Sequence, residues 1–463
     1  MNKLTVFIFF IASFPFYGNS IDAANDKRPN VILLLVDDMG YGDLTCYGGQ
    51  AVKTPNIDKL AQSGILYTRF YSASAVCTPS RASILTGKYP LRFDIRSHFK
   101  DEGENLPVET ETIARILKEA GYATAHIGKW HLGGLRMEDY EARNAGREAN
   151  PGPLQFGFDH YLCNIEGDPP RQALIKERRL YRDGGKYLIR NDKRAPEDPE
   201  HWTNIKVNEA IGLLEKWNNT DTPFFLNLWF DVPHTPYEPA PEPHISKYAE
   251  MGATGDQLYF RSMVSNLDEN IGRLVEKLKE LEMYENTLIL FTSDNGAAWE
   301  GEVGPFKGGK TDLHEGGIRV PFFAVWPGKI PVNKISFQRG HHVDLLPTIC
   351  KATGTTYKEN IDGVSLLPNL TGGNEFDRGL LLWQLDLYKT LQRHYNKPKP
   401  YATNVAYQGP WKLLLNETEP VELYHLENDP HEVMNVLDVH PGIVKELTSQ
   451  TKKFMEEPRT PWN

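Results

Sequence analysis

The sequence predicts an α/β protein in which helices cover both faces of a large, mostly parallel sheet. Four uninterrupted apolar runs, each of strand length, are typical of strands that are buried on both faces. Helical patterns lie between these runs, and alternating strands and helices favour parallel strands joined by right-handed crossovers. The runs cover residues 31–36, 122–128, 224–230 and 287–293.

The helical segments carry start signals and amphipathic patterns. Residues 54–64 begin with Thr54 at the N-cap and Pro55 in the first turn, where a backbone N–H is not needed. Apolar residues fall on one face of residues 111–121, and residues 261–281 predict a longer amphipathic helix. These segments supply the helical layers of the predicted fold.

The C-terminal part of the chain has a different pattern. After about residue 375, short strand-like pieces and a terminal helix replace the long apolar runs, which predicts a small α+β domain packed on the first. We therefore expect a main domain over residues 25–375 and a smaller domain over residues 376–463.

The N-terminus predicts export. Lys3 precedes an apolar run that is too short to span a membrane and that ends in small residues, which is the pattern of a secretory signal peptide. We expect residues 1–24 to be cleaved and the protein to be periplasmic or secreted. No later run is long and apolar enough to predict a membrane span.

The composition limits the classes of partner and site. The chain has 51 Lys and Arg against 61 Asp and Glu, and its net charge of −10 argues against a nucleic-acid partner. The four cysteines are widely scattered and show none of the spacings of a zinc site or a disulfide framework. An anionic substrate would have to be attracted by a local cluster of positive side chains.

Each apolar run is followed at once by residue types that carry chemistry. We call the residues that directly follow a run its polar tip. Taken alone, each polar tip has an ordinary explanation as a helix cap, a turn or a surface loop. The carboxyl ends of parallel strands share one edge of a sheet, so the tips together are predicted to form one site. They are Asp37 and Asp38, Lys129 and His131, His234, and Asp294 and Asn295.

The segment "CTPSRASILTG" at residues 77–87 resembles the signature of type I sulfatases of the alkaline phosphatase superfamily. The segments "DDMGYGD", "GKWHLG", "SDNG" and "GGKTDLHEGGIRVP" are similar to the same family and occur in the same order. The similarity runs from about residue 28 to the C-terminal "LYHLENDPHE". It implies an alkaline-phosphatase-like fold and an exported enzyme that hydrolyses sulfate esters of a carbohydrate.

The resemblance implies that Cys77 is the precursor of the nucleophile. In that family a maturation enzyme converts this cysteine to Cα-formylglycine, whose hydrated aldehyde attacks the sulfur atom of the ester. Pro79 suits the first turn of a helix, so backbone N–H groups would point toward the modified side chain and a bound anion. Arg81 adds a fixed cation beside it.

The resemblance also implies roles for the surrounding residues. The implied metal ligands are Asp37, Asp38, Cys77 after its modification, Asp294 and Asn295. Oxygen ligands favour Ca²⁺ over the smaller Mg²⁺ and over zinc. His131 is the implied base, and His234 is the implied acid that protonates the leaving oxygen. Lys129 and Lys310 match sulfate-binding lysines of the family, and Lys310 is a second candidate for the acid.

Two further segments offer contacts to a sugar. Trp383 supplies a flat ring for a sugar face, and polar groups for hydroxyls, a carboxylate or a second sulfate come from Arg96, His98 and Gln384. The opposing interpretation places Trp383 in the core and His98 in solvent.

Two other functions stay open on the sequence. One is a phosphonate or phosphodiester hydrolase of the same superfamily, and the other is a catalytically silent relative that binds carbohydrate. The intact Pro-Ser-Arg, both lysines and both histidines favour a sulfatase. His314 has no assigned role, and the residues interpreted as surface or structural are Lys307, Arg319, His341 and His342.

Overall fold

The computed structural model describes most of the chain, and the predicted signal peptide lies outside the described residues. These are residues 27–99, 104–166, 176–177, 187–387, 389–394 and 401–460. Within them, no helix has both the length and the apolar character that crossing a membrane requires.

A ten-stranded sheet forms the centre of the described structure. Its strands are β1 (Asn30–Val36), β2 (Ile65–Tyr71), β3 (Ala123–Gly128), β4 (His160–Asn164), β5 (Leu188–Arg190), β6 (Lys193–Arg194), β7 (Phe224–Trp229), β8 (Thr287–Ser293), β9 (Phe322–Val325) and β10 (Lys334–His341). Their order across the sheet is β10-β2-β9-β8-β1-β7-β3-β4-β5-β6. The central strands β8, β1, β7, β3 and β4 run parallel, which confirms the predicted α/β class.

Helices cover both faces of this sheet. The α-helices of the described residues are α1 (Pro55–Gln62), α2 (Cys77–Thr86), α3 (Ile113–Glu119), α4 (Met137–Asn144), α5 (Trp202–Asn218), α6 (His244–Glu250), α7 (Gly255–Glu280), α8 (Glu315–Ile318), α9 (Leu345–Thr353), α10 (Leu367–Leu370), α11 (Lys389–His394) and α12 (Pro441–Met455). Alternate residues of β1, beginning with Ile32, pack with α1, α5 and α7. Those beginning with Val31 pack with α2, α3 and α9 on the opposite face.

The four predicted apolar runs are neighbouring strands, in the order β8-β1-β7-β3. Val36 at the end of β1 pairs with Ser293 of β8. Trp229 of β7 pairs with Leu35 on one side and with Gly128 of β3 on the other. The residues that follow these strands therefore leave the sheet at one edge, as predicted.

A second, antiparallel sheet follows in the C-terminal part, as the change of pattern predicted. Its strands, in their spatial order, are β11 (Leu381–Gln384), β12 (Asn404–Gln408), β13 (Trp411–Asn416) and β14 (Glu419–His425). Side chains on one face form a cluster with Leu447 of α12. Those on the other face pack against Ala75 and Val76, which directly precede α2, and against Leu313 and Ile318.

Candidate active site

Cys77 is the first residue of α2 and is completely buried. Its Sγ lies 3.4 Å from Asp37 Oδ1, 3.5 Å from Lys129 Nζ and 3.7 Å from Lys310 Nζ. Burial, reinforced by the charge of Asp294, raises the pKa of the thiol far above its ordinary value, although both lysines oppose the shift. As an unmodified thiol, this side chain is therefore a poor nucleophile at neutral pH.

Three carboxylates and three cations surround Cys77. The pairs are Asp37 Oδ2 with Lys129 Nζ at 2.6 Å, Asp38 Oδ1 with Lys310 Nζ at 2.6 Å, and Asp294 Oδ2 with Arg81 Nη2 at 2.7 Å. Because their formal charges cancel, a divalent cation would give the cluster a net charge of about +2, which attracts a sulfate monoester. The site is thus electrically suited to an anion only when a cation is also bound.

The carboxyl groups differ in proton affinity. Burial alone would raise the pKa of Asp37, but the charges of Lys129, His234 and Arg81 hold it well below its ordinary value. Burial and the charge of Asp37 raise the pKa of Asp294 to about 6, despite the Arg81 guanidinium. Asp37 is therefore ionised at all moderate pH values, whereas Asp294 is the more easily protonated of the two.

Asn295 carries a polar atom that the protein leaves unsatisfied. Its Nδ2 donates to Asp38 Oδ1 at 2.8 Å, but its buried Oδ1 has no hydrogen-bond partner among the described residues. Ligand atoms that lie within 4.8 Å of one another come from Asp37, Asp38, Cys77 and His234. A buried oxygen without a donor, beside clustered carboxylates, fits a hard divalent cation.

His131 and His98 form a pair beside Cys77. Their rings stack with centroids 5.3 Å apart and an interplanar angle of 19°, and ligand atoms of all three side chains lie within 4.8 Å of one another. His131 has a left-handed backbone with φ of 58°, a strained conformation that occurs at functional sites. Burial and the positive charge of Lys129 lower the pKa of His131, and burial and Lys310 lower that of His98. His98 is thus at the site rather than in solvent.

His234 follows β7 and lies next to Asp38. Its Nε2 is 3.6 Å from Asp38 Oδ2, and its Nδ1 lies 2.5 Å from the carbonyl oxygen of Thr235. Burial and the charge of Lys310 lower the pKa of His234 to about 4. A bound sulfate would oppose this shift, because its negative charge stabilises the protonated imidazole.

The structure corrects the prediction for Trp383. This side chain is only 3% exposed, and its Nε1 donates to the carbonyl oxygen of Ser72 at 2.6 Å. Its ring makes edge contacts with Tyr71 and His341, at centroid distances of 5.7 and 5.3 Å. Trp383 is therefore part of the core between the two sheets, because β11 turns this face inward, and it has no free ring face for a sugar.

Two of the other predicted sugar contacts, Gln384 and Arg96, lie among protein groups in the structure. Gln384 is 7% exposed within β11. The Arg96 guanidinium forms an ion pair with Asp94 at 2.8 Å, and Asp94 also pairs with Arg459 near the C-terminus. Of the predicted sugar contacts, His98 lies next to Cys77, and the roles of Arg96 and Gln384 stay predictions.

The structure adds a second buried charge cluster, which we call the interface network. Its members are Asp312, His314, Glu315, Arg319, Lys412, Glu422 and Glu432. The Lys412 ammonium lies 2.9 Å from Glu315 Oε1 and 2.8 Å from Glu432 Oε1, and all three side chains are shielded from solvent. The network joins β13 and β14 to the segment that carries Lys310.

His314 lies at the centre of one side of this network. Its Nδ1 is 2.6 Å from Asp312 Oδ1, and its Nε2 is 2.7 Å from Glu422 Oε2. Burial alone would lower the pKa of His314, but the hydrogen bonds to the two carboxylates raise it to about 9. No local sequence signal could reveal this role, because Glu422 is far away along the chain.

Comparisons with known proteins agree with this geometry. The family model described as Sulfatase matches residues 29–355, and the one described as N-sulphoglucosamine sulphohydrolase, C-terminal, matches residues 301–460. An N-acetylgalactosamine-6-sulfatase of Canis lupus familiaris is 33% identical over 386 residues, which cover 79% of this chain and 70% of that protein.

Two further proteins match almost the whole chain. An N-acetylgalactosamine-6-O-sulfatase of Bacteroides thetaiotaomicron is 29% identical over 497 residues, and the match covers 92% of each protein. The crystal structure of Ps i-CgsB in complex with k-i-k-neocarrahexaose has a TM-score of 0.80 at 28% identity and covers 94% of both chains. The similarity therefore extends over both sheets.

Proposed function

The chain belongs to the sulfatase family and is a sulfuric ester hydrolase, and from this premise we propose that its substrate is a sulfated carbohydrate. We further propose that Cys77 acts as Cα-formylglycine and that the metal ion is Ca²⁺. The observation that carries the proposal is the meeting of Cys77 with three carboxylates and three cations at one sheet edge. Relatives that act on N-acetylgalactosamine sulfate or bind a carrageenan oligosaccharide support a carbohydrate substrate.

The residues present fit the two groups that this chemistry requires. When bound and formed, the cation and the hydrated formylglycine supply a nucleophilic oxygen of lowered proton affinity and offset the charge that develops on the sulfate. Asp37, Asp38, Asp294 and Asn295 hold the cation in this proposal, and the unsatisfied Asn295 Oδ1 is the atom that most needs it. Oxygen donors of this kind favour Ca²⁺.

The lysines and Arg81 bind the sulfate group in the proposal. Lys129 and Lys310 lie within 3.7 Å of Cys77 Sγ, so their ammonium groups are in place to turn from the carboxylates to sulfate oxygens. Arg81 is held by Asp294 and by the carbonyl oxygen of Lys129, so its charge stays fixed. Preorganised positive charge of this kind stabilises the transition state more than the substrate.

The two histidines divide the proton transfers. His131 lies next to Cys77, and burial favours its neutral form, which suits a base that takes a proton at residue 77. The His234 side chain is 31% exposed, which suits an acid beside an alcohol that leaves toward solvent. Lys310, whose ammonium group lies 2.6 Å from Asp38 Oδ1, is the second candidate for the acid.

Sulfate release from defined sugars tests the function. The mature protein, produced with a formylglycine-generating enzyme, is assayed on N-acetylgalactosamine 6-sulfate, other sulfated sugars, and the corresponding phosphate and phosphonate esters. We expect a sulfated sugar to have the highest kcat/KM. A phosphonate or phosphodiester with a higher kcat/KM would favour the superfamily alternative, and no turnover with any ester would favour the silent carbohydrate-binding relative.

Mass spectrometry tests the modification and the proposed export. The peptide that contains residue 77 should show the aldehyde, and active protein that contains only the unmodified thiol would contradict the nucleophile. N-terminal sequencing of protein from the native host should begin near residue 25, since we propose that the signal peptide is removed during export to the periplasm or medium.

A further inference from the structure

Trp299 is an exposed aromatic side chain on the loop that follows Asn295. It is 54% exposed and lies four residues after Asn295. Its backbone is left-handed with φ of 50°, which is costly for a bulky residue and persists only where the surrounding contacts impose it. Strained backbone of this kind is found most often at active sites and ligand-binding loops.

The loop that carries Trp299 is fixed by Tyr237. Tyr237 Oη donates to the carbonyl oxygen of Ala298 at 3.2 Å and accepts from the backbone N–H of Glu300 at 3.3 Å. The two residues that flank Trp299 are thus held by one buried hydroxyl group. Tyr237 follows His234 by three residues, so the same contacts couple Trp299 to the segment of the proposed acid.

Two further contacts fix the ends of this loop. The carbonyl oxygen of Ala297 accepts a hydrogen bond from the backbone N–H of Lys310 at 2.8 Å. The backbone N–H of Glu302 donates to Asp43 Oδ1 at 2.8 Å, and Asp43 is buried. The backbone that carries the Trp299 ring is therefore tied to Lys310 at one end, to Asp43 at the other end and to Tyr237 between them.

We propose that Trp299 forms a carbohydrate subsite, in which its ring stacks on the apolar C–H face of the sugar that leaves beside His234. This assignment rests on the proposed sulfated carbohydrate substrate. Aromatic rings provide a large contact area at a small cost in side-chain entropy, and a rigid loop lowers that cost further. Trp299 thus has the role that the sequence predicted for Trp383, namely contact with a sugar face.

The test compares Trp299→Ala with Trp299→Phe and the wild type. Because stacking acts on the sugar and not on the sulfate group, Trp299→Ala should raise KM for the sulfated sugar about tenfold and leave kcat within about twofold. Inhibition by inorganic sulfate should be unchanged, since the sulfate pocket is intact. Trp299→Phe should recover most of the loss.

Phe337 provides the matched control. It is an exposed aromatic residue, 57% accessible, on the edge strand β10, and Phe337→Ala should have wild-type kinetics. If the wild type hydrolyses a sulfated sugar but Trp299→Ala has an unchanged KM or weaker inhibition by sulfate, the subsite is wrong and the proposed function stands. If the wild type hydrolyses no sulfated sugar, both are overturned.

Discussion

The active site and the interface network are built from the same residue types, but they differ in which of their polar atoms lack partners. In the network, His314 contacts two carboxylates, and Lys412 contacts two more. At the active site, the three carboxylates are also paired, but Asn295 Oδ1 and His131 Nδ1 have no hydrogen-bond partner among the described residues. The network also has a carboxylate oxygen without a hydrogen bond in the described part of the chain, Glu432 Oε1, but that oxygen lies 2.8 Å from the Lys412 ammonium. The active site differs because its unpartnered atoms belong to an amide and an imidazole beside the paired charges, where a ligand can supply the missing contact.

The histidines show the same contrast. The pKa of His314 is raised to about 9 by its two carboxylates, whereas that of His234 is lowered to about 4 by burial and by Lys310. The raised pKa favours the protonated form of His314 at neutral pH, and this imidazole contacts carboxylates of two segments. The lowered pKa favours the neutral form of His234, and a bound anion would shift it toward protonation, which suits a residue that must gain and lose a proton.

The largest expected effect comes from Cys77 at the active site. Cys77→Ala should lower kcat by at least about 10⁴-fold, because the nucleophile is lost, while the melting temperature stays within a few degrees. Sulfate release and thermal unfolding measure the two quantities. A large loss of stability would mean that this cluster is structural in the same sense as the network.

Lys412 tests the opposite case. Lys412→Met should lower the free energy of unfolding by about 3–5 kcal/mol, because Glu432 is left buried without its cation and Glu315 keeps only one described cation, Arg319. Denaturant unfolding measures the change, and Lys358→Met, which removes an exposed ion pair with Glu119, is the control and should have little effect. An unchanged stability for Lys412→Met would contradict our description of the network.

His234 sharpens the comparison within the active site. His234→Ala should lower kcat/KM for a sugar sulfate by about 10²–10³-fold, because an alkoxide leaves poorly without a proton. The loss should be much smaller for an aryl sulfate, whose phenolate leaves unaided. Equal losses on both substrates would remove the acid role and favour Lys310 in its place.

Removal of the metal should affect the active site and not the network. If Ca²⁺ binds only the native state, the free energy of unfolding at a Ca²⁺ concentration of about 100 Kd should be about 2.7 kcal/mol higher than in the presence of a chelator. Differential scanning calorimetry with and without Ca²⁺ measures this, together with the recovery of activity. Stoichiometric zinc in the purified protein, or no change after complete removal of the metal, would contradict the assignment.

The smallest expected effect is the pH dependence of His314. Its folded pKa is raised, so its contribution to stability is complete below about pH 6.5, the ordinary histidine pKa, and is lost as the pH rises through about 9. We expect a contribution of about 1–2 kcal/mol. His314→Gln should be less stable at pH 6.5 and should show a flatter decline between pH 6.5 and 10. Parallel pH profiles for both proteins would show that His314 does not carry this charge.

The sequence predicted the sheet edge correctly, because the strand signals and the polar tips are both local. β8, β1, β7 and β3 are continuous apolar runs, and a parallel sheet brings their ends together without further information. The prediction for Trp383 was wrong, because a short apolar strand does not reveal which of its faces is covered. That Trp383 packs on Tyr71 is a property of the docked sheets.

The interface network could not be predicted for a related reason. Its acidic and basic members are ordinary surface residue types in the sequence, and only the fold brings Lys412 and Glu432 to Glu315. The position of Trp299 was equally hidden. Its exposure depends on Tyr237, which reaches its loop from the segment after β7.

The interface network also limits how this enzyme can be recombined. The segment that carries Lys310 takes its charge partners from β13 and β14, so the small sheet is not an interchangeable module. A chimera that receives this sheet from another sulfatase would need matching partners for His314 and Glu315, or it would bury charges without counterions. The loop around Trp299 makes its hydrogen bonds to Tyr237, Lys310 and Asp43 through its backbone, so on the proposed subsite its exchange is the simpler way to test a new sugar preference.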